Sequence, residues 1–160
     1  DLDHWYVLYT QVKEHNLELN TFPLPRRVLD VLLESRGWEV LLLKLKPDGE
    51  NGWKTARTVC MVYCYASGEA YSPMFIGLDY GFNGRYKIYR QALYRLVMRA
   101  RELDKKRVYL GFSAAVEKRK VGARQEPTYA YMQTNDTYKK QVLAGANITS
   151  GPVLEKTINL

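Results

Sequence analysis

Residues 57–78 read RTVCMVYCYASGEAYSPMFIGL, and this stretch decides the fold class. Apolar residues occupy both parities of 57–65, which is typical of a central strand that is buried on both faces. A Ser-Gly-Glu turn signal follows at 67–69, and the strand pattern resumes over 70–78. Pro73 lies inside this second strand and cannot donate to its ladder, so we expect a bulge or an opened edge there.

The flanking segments extend this hairpin into a mixed sheet. WEVLLLKLK at 38–46 reads as a strand, and the turn cluster PDGENG at 47–52 joins it to the hairpin. The three strands therefore form an antiparallel meander. The other predicted elements are two helices over 3–16 and 24–36, a long amphipathic helix over about 89–103, a strand at 107–111, a short basic helix at 114–123 and a strand at 128–133.

This order predicts an α/β fold of the α+β kind, with an antiparallel meander and flanking helices. The helix between the third and fourth strands predicts one parallel strand pair joined by a right-handed crossover. The segment after 133 carries weak signals, with a helix predicted over 136–144. A length of 160 residues favours a single domain.

Composition narrows the classes of function. The chain carries 24 Lys and Arg against 17 Asp and Glu, a formal net charge of +7. This excess suits either a solvated surface or an anionic partner, which includes nucleic acid, a phosphorylated cofactor, an acidic carrier and a membrane surface. No apolar run approaches the roughly 20 residues that span a bilayer, and no signal peptide is visible, so we expect a cytoplasmic protein.

The cysteines and histidines argue against a disulfide and a metal site. Cys60 and Cys64 lie about 13 Å apart along one predicted strand, which is beyond disulfide reach, and buried thiols are expected. The two histidines, His4 and His15, form no cluster at ligand spacing, so no metal is expected.

One glycine-containing segment suits phosphate binding. The predicted loop 79–85 leads into the long helix and contains Gly81 and Gly84. Backbone amides at a helix start attract phosphate, and Arg85 and Lys87 add positive charge, although many such turns only connect elements. Asp79 ends the third strand, and its position in the alternation matches that of Tyr71 and Phe75. Its carboxylate can therefore be either a general base or a group that initiates a turn.

Two further motifs lie beyond the fourth strand. Lys118, Arg119 and Lys120 form a basic cluster on the short helix, which suits a solvated face, a phosphate or nucleic acid. Gly-Phe-Ser-Ala-Ala at 111–115 is similar to a nucleophile elbow. No histidine base follows it, however, so Ser113 is interpreted as a helix cap.

The motifs together resemble the GNAT acyltransferase fold, and most closely the GNAT-like domains of Fem-type and related N-acyltransferases. The resemblance rests on the Tyr/Leu-rich helix around 93–96, the strand 108–111 that ends at Gly111, the Lys-x-x-apolar-Gly turn after Lys118 and the run NTFPLP at 20–25. It implies a domain over 1–133 that lacks the family's first strand, with 134–160 as a C-terminal extension. The resemblance further implies an upstream domain in the parent protein, and a free sheet edge that favours either a homodimer or contact with that missing domain.

The resemblance also implies an activity, which is transfer of an acyl group from an acyl-CoA thioester to a small-molecule amine acceptor. Asp79 and Lys118 are its candidate catalytic residues. The candidate donor-binding residues are Gly81, Asn83, Gly84, Arg85, Tyr86 and Lys87. Two alternatives stay open. One is a Fem-type transferase that uses aminoacyl-tRNA, and the other is a non-catalytic GNAT-like module attached to another enzyme.

Overall fold

The computed structural model describes residues 1–15, 23–47, 54–111 and 114–127. One compact unit comprises Asp1–Arg124. A second unit comprises Gln125–Leu160, of which only residues 125–127 are described. The predicted boundary at 133, the strand 128–133, the helix 136–144 and Ser113 lie outside the described residues. In chain order the elements are α1 Leu2–His15, α2 Arg26–Glu34, β1 Trp38–Leu45, β2 Arg57–Ser67, β3 Ala70–Leu78, α3 Tyr80–Tyr86, α4 Ile88–Glu102, β4 Arg107–Val108 and α5 Ala115–Lys120.

The described strands form one mixed sheet in the order β1-β2-β3-β4. β1 and β2 are antiparallel, as are β2 and β3, whereas β3 and β4 are parallel. The predicted α+β meander and the single parallel pair are therefore confirmed. The fourth strand is shorter than predicted: β4 comprises only Arg107 and Val108, and residues 109–111 are not in a strand.

Helices cover both faces of the sheet. Met61 and Tyr63 of β2 belong to a core cluster with Leu8 of α1 and Leu29 of α2. The alternate residues of β2, which include Val62, pack on the opposite face against α4. Because β2 is buried on both faces, its apolar residues occupy both parities, as the sequence pattern predicts.

Pro73 introduces the predicted irregularity in β3. Tyr63 pairs with Phe75, whereas the next residue, Cys64, pairs with Pro73, so Met74 is an extra residue. The bulge reverses the alternation beyond it: Tyr71 packs in the α4 core, whereas Phe75 packs in the core under α1 and α2. The expectation that Tyr71 and Phe75 share a face is therefore wrong.

The thiols of Cys60 and Cys64 are free and buried, as predicted. Burial in the apolar core raises the pKa of each thiol to about 12. This is the direction expected when desolvation disfavours the thiolate.

Candidate active site

The sheet opens between β3 and the chain that leaves β4. The last bond across this junction runs from the Tyr109 amide to the Tyr71 carbonyl at 3.1 Å. β3 then continues to Leu78, whereas residues 109–111 are not in a strand. The bulge residue Met74 lies on β3 shortly beyond this last bond and is 53% exposed. We call the place where 73–78 and 109–111 do not pair as strands the sheet opening.

A short helix occupies the segment that leads from β3 to α4. Asp79 is the N-cap of α3, and its Oδ1 accepts a hydrogen bond from the Gly81 amide at 3.1 Å. Lys87 then adopts a left-handed conformation, with φ 52°, between α3 and α4. The predicted glycine loop at 79–85 is therefore wrong, because a capping carboxylate starts a helix there and Gly81 and Gly84 lie inside it.

The start of α4 is already capped by a side chain. The Asn83 Oδ1 accepts from the Tyr89 amide at 3.0 Å, so one of the first-turn amides of α4 has an internal partner. Gly84 is exposed, and a Cβ added there would meet no atom within 4 Å. Arg85 is also exposed, and its guanidinium lies 5.2 Å from the centre of the Tyr86 ring. The six predicted donor-binding residues therefore lie on α3 and its junction with α4.

Asp79 is held by partners on two sides. Besides the Gly81 bond, its Oδ2 accepts from Arg57 at 3.1 Å, and the Asp79 side chain is only 11% exposed. The same guanidinium lies 5.0 Å from the centre of the Phe82 ring. Asp79 thus links β2 to α3. Its role in proton transfer stays a prediction.

Lys118 is buried, although its neighbours in the basic cluster are exposed. It is 7% exposed on α5, whereas Arg119 and Lys120 are exposed. Its ammonium lies close to Gly111, because a Cβ built on that glycine would be 3.9 Å from the Lys118 Nζ. A buried lysine beside the segment that follows β4 was not anticipated by the solvated-face interpretation. The sequence spacing alone does not distinguish Lys118 from Arg119.

An ion pair connects α5 to the first turn of α4. Arg90 donates to the two Glu117 carboxylate oxygens at 2.9 and 3.3 Å. This pairing, together with a hydrogen bond from Lys120, lowers the pKa of Glu117 to about 2. The helix that carries Lys118 is therefore tied to the start of α4, where the predicted donor-binding residues lie.

A polar network that the sequence analysis missed lies within the α4 face of the sheet. The fully buried Tyr71 donates to Glu39 Oε1 at 2.7 Å, and Arg99 donates to both oxygens of Glu39 at 3.0 and 2.8 Å. The hydrogen bond from Arg99 is the main reason that the pKa of Glu39 is lowered. The network fixes β1, β3 and α4 together, and no local sequence signal relates residues so distant in the chain.

The described residues hold neither a metal-binding cluster nor a membrane-spanning helix. Within 1–15, 23–47, 54–111 and 114–127, no group of three or more His, Cys, Asp or Glu residues is arranged to hold a metal ion. None of the helices in these ranges has the length and apolar character needed to cross a membrane.

Comparison with known proteins relates the chain to one solved structure at the level of fold. No family model matches the chain, and no curated protein matches it. The chain is similar to an aminoglycoside acetyltransferase from an uncultured soil metagenomic sample, solved in complex with sisomicin. The identity is 14% and the TM-score 0.54, with 84% of this chain and 90% of that chain covered. The predicted α+β, GNAT-like fold is thereby confirmed.

Proposed function

We propose that this chain is an acyltransferase domain that moves an acyl group from an acyl-CoA thioester to a small-molecule amine. The observation that carries the proposal is the sheet opening, which begins after the bond between Tyr109 and Tyr71 and lies beside the bulge at Met74. Where β3 has no strand partner among the described residues, its backbone amide and carbonyl groups are available to bind the amide-rich arm of acyl-CoA. The fold neighbour, an acetyltransferase crystallised with an aminoglycoside, supports a small-molecule acceptor.

The chemistry requires no covalent enzyme intermediate. The acceptor nitrogen attacks the thioester carbonyl, a C–N bond forms, and the C–S bond breaks to release the CoA thiolate. The proton lost by the amine ends on that thiolate, so an amide and a free thiol are the products. The protein contributes orientation of the two substrates and stabilisation of the developing oxyanion.

The donor phosphates are assigned to the junction between α3 and α4. Arg85 and Lys87 are both exposed and supply positive charge there, whereas Asn83 already occupies one of the amides at the start of α4. We therefore assign most of the phosphate recognition to these two cations instead of backbone amides. Gly81, Gly84 and Tyr86 shape the same junction. Binding by exposed cations weakens with added salt.

Thermal shift with a panel of acyl-CoAs tests this assignment. Wild type is expected to gain stability with at least one acyl-CoA, and Arg85→Gln/Lys87→Gln is expected to lose most of that gain. The control Arg27→Gln/Arg101→Gln removes the same charge from exposed positions on α2 and at the far end of α4. If both double variants respond as wild type does, the donor site lies elsewhere. If wild type responds to no acyl-CoA, the proposed function is wrong.

Asp79 is the proposed general base, and its ion pair offers a control. Asp79→Asn keeps an oxygen for the Gly81 amide but loses the base and the charge that binds Arg57. Arg57→Gln breaks the same ion pair and leaves the carboxylate in place. A base predicts a fall in kcat of about 10²-fold or more for Asp79→Asn and a much smaller effect for Arg57→Gln. Equal losses would assign Asp79 a structural role only.

Lys118 is proposed to stabilise negative charge on the donor or on the reacting carbonyl. Lys118→Met preserves the apolar stem and removes the ammonium, whereas Lys118→Arg keeps the charge. Loss of turnover in the first variant with partial recovery in the second supports the role. Unchanged turnover in a folded Lys118→Met would remove this residue from the proposed site.

A further inference from the structure

The backbone bonds between β3 and β4 stop at a position that a proline occupies. The Arg107 amide donates to the Glu69 carbonyl at 3.1 Å. The Tyr109 amide then donates to the Tyr71 carbonyl, also at 3.1 Å. Alternate residues of a strand bond to the same neighbour, so the next β3 residue to face this side is Pro73. An amide there would donate to the Tyr109 carbonyl, but proline has no amide hydrogen, so this bond cannot form.

The bonds of β2 agree with this orientation of Pro73. The Ala66 amide donates to the Gly37 carbonyl at 2.8 Å, so the backbone of Ala66 bonds away from β3. Cys64 lies two residues earlier and therefore has the same orientation, and Cys64 is the residue opposite Pro73. Pairing with β2 thus requires no amide at position 73. The proline costs that ladder nothing and removes a bond only on the β4 side.

The bulge at Met74 keeps the ladder from resuming farther along the chain. Beyond the bulge, the Asp79 amide donates to the Val59 carbonyl at 2.9 Å, so odd-numbered residues there bond to β2. Before the bulge, the odd-numbered Tyr71 bonds to the segment that follows β4. The extra residue has therefore reversed which backbone groups face the sheet opening. Pro73 removes the first missing bond, and the bulge removes those after it.

We propose that Pro73 is a positioning residue, which sets where the sheet opening begins by leaving the Tyr109 carbonyl without a donor on β3. Its consequence for binding rests on the proposed function, because the arm of acyl-CoA carries amide N–H groups and we place that arm in the opening. Any residue with an amide at position 73 would close the first bond of the opening. It would also occupy an acceptor that the donor arm can otherwise use.

Pro73→Ala restores the amide and tests the missing bond without any ligand. The new amide is expected to bond to the Tyr109 carbonyl, which gives an NMR scalar coupling across the hydrogen bond between the nitrogen and that carbonyl carbon. Its hydrogen exchange is expected to be at least about 100-fold slower than in an unfolded chain. Lactic acid at position 73 is the matched control, because it has the methyl group of alanine but an ester in place of the amide. Both residues suit the extended backbone of β3.

CoA and adenosine 3′,5′-bisphosphate test whether this bond matters for the donor arm. CoA carries both phosphates and the amide-rich arm, whereas the bisphosphate lacks the arm. Isothermal titration calorimetry is expected to give a Kd for CoA about tenfold higher in Pro73→Ala than in wild type, and near the wild-type value with lactic acid at this position. The Kd for the bisphosphate is expected to change less than about twofold in both variants, since neither touches the phosphate site.

The outcomes separate the role of Pro73 from the proposed function. An amide at position 73 of Pro73→Ala that shows neither coupling nor protection would overturn the proposal, because the strands would then separate for another reason. Equal effects of alanine and lactic acid on the Kd for CoA would also overturn it, since the ring and not the missing donor would then matter. A wild type that binds no CoA would refute the proposed function, and the coupling alone would then decide the role of Pro73.

Discussion

Gly77 of β3 allows α1 to lie directly on the sheet, and its replacement tests that contact. A Cβ at this position would lie 2.7 Å from the Tyr9 amide nitrogen and 2.8 Å from the Leu8 carbonyl carbon and Cβ. Two of these three atoms belong to backbone, so rotation of a side chain cannot relieve the overlap. Gly77→Ala therefore forces α1 away from β3, whose contacts with α1 include the fully buried Leu8.

The expected loss follows from overpacking a dense core. Forced insertion of a methyl group typically costs 1–3 kcal/mol, and displacement of a helix backbone places Gly77→Ala near the upper end, at about 3 kcal/mol. With a urea m-value of about 2 kcal/mol/M, the unfolding midpoint falls by about 1.5 M. Equilibrium urea unfolding followed by circular dichroism measures this shift directly.

Gly84 provides the matched control, because the same substitution has the opposite expected sign. It lies in α3, and a Cβ there meets nothing within 4 Å. Gly84→Ala is therefore expected to stabilise the protein by about 0.5–1 kcal/mol, because alanine is the better helix former. A Gly77→Ala variant within 0.5 kcal/mol of wild type, or one no worse than Gly84→Ala, would refute the close approach of α1 to β3.

Three further results are expected. Glu39→Gln weakens the bonds to Arg99 and is expected to cost about 1–2 kcal/mol at pH 7. The pKa of Glu39 is lower in the folded state than its unfolded value of 4.5, so the ionised carboxylate stabilises the fold above pH 4.5 and this stabilisation is lost as the pH falls below it. In urea titrations from pH 7 to 2, the free energy of unfolding of Glu39→Gln is therefore expected to fall less steeply with decreasing pH than that of wild type. With thiol pKa values of about 12, Cys60 and Cys64 are expected to resist a disulfide reagent at pH 8 until urea unfolds the chain, and rapid native labelling would contradict their burial. Asn83→Ala removes the acceptor for a first-turn amide of α4 and is expected to lower stability by about 1 kcal/mol in the same urea assay, with an unchanged value excluding the cap.

Much of the fold was predictable because its signals are local. The two helices before β1, the meander and the Ser-Gly-Glu turn each follow from periodicity and turn residues within a few positions. The bulge was predictable for the same reason, since Pro73 cannot donate to a ladder. The placement of Tyr71 and Phe75 on opposite faces of the sheet was not predictable, because counting alternate residues assumes a strand without a bulge.

The candidate site was predictable in position and less so in structure. Asp79 and the residues up to Lys87 do lie at the end of β3 next to the start of α4, as their sequence order requires. The helical form of α3 depends on Asp79 as a cap and on its ion pair with Arg57, which is 22 positions away in the chain. The glycines in this segment favour a loop when only neighbouring residues are considered. The charge of the distant Arg57 cannot be included in a prediction from neighbouring residues.

The element order, the buried central strand and the single parallel connection follow from the sequence alone, because hydrophobic period and turn chemistry act over short distances. Which of the neighbouring charges are buried and which are exposed depends on the tertiary structure. Lys118 is buried beside Gly111, whereas the adjacent Arg119 is exposed, although both carry the same charge in one basic run. The physical reason is that burial and ion pairing depend on which elements meet in space, and residues such as Glu39 and Arg99 meet across 60 positions of chain.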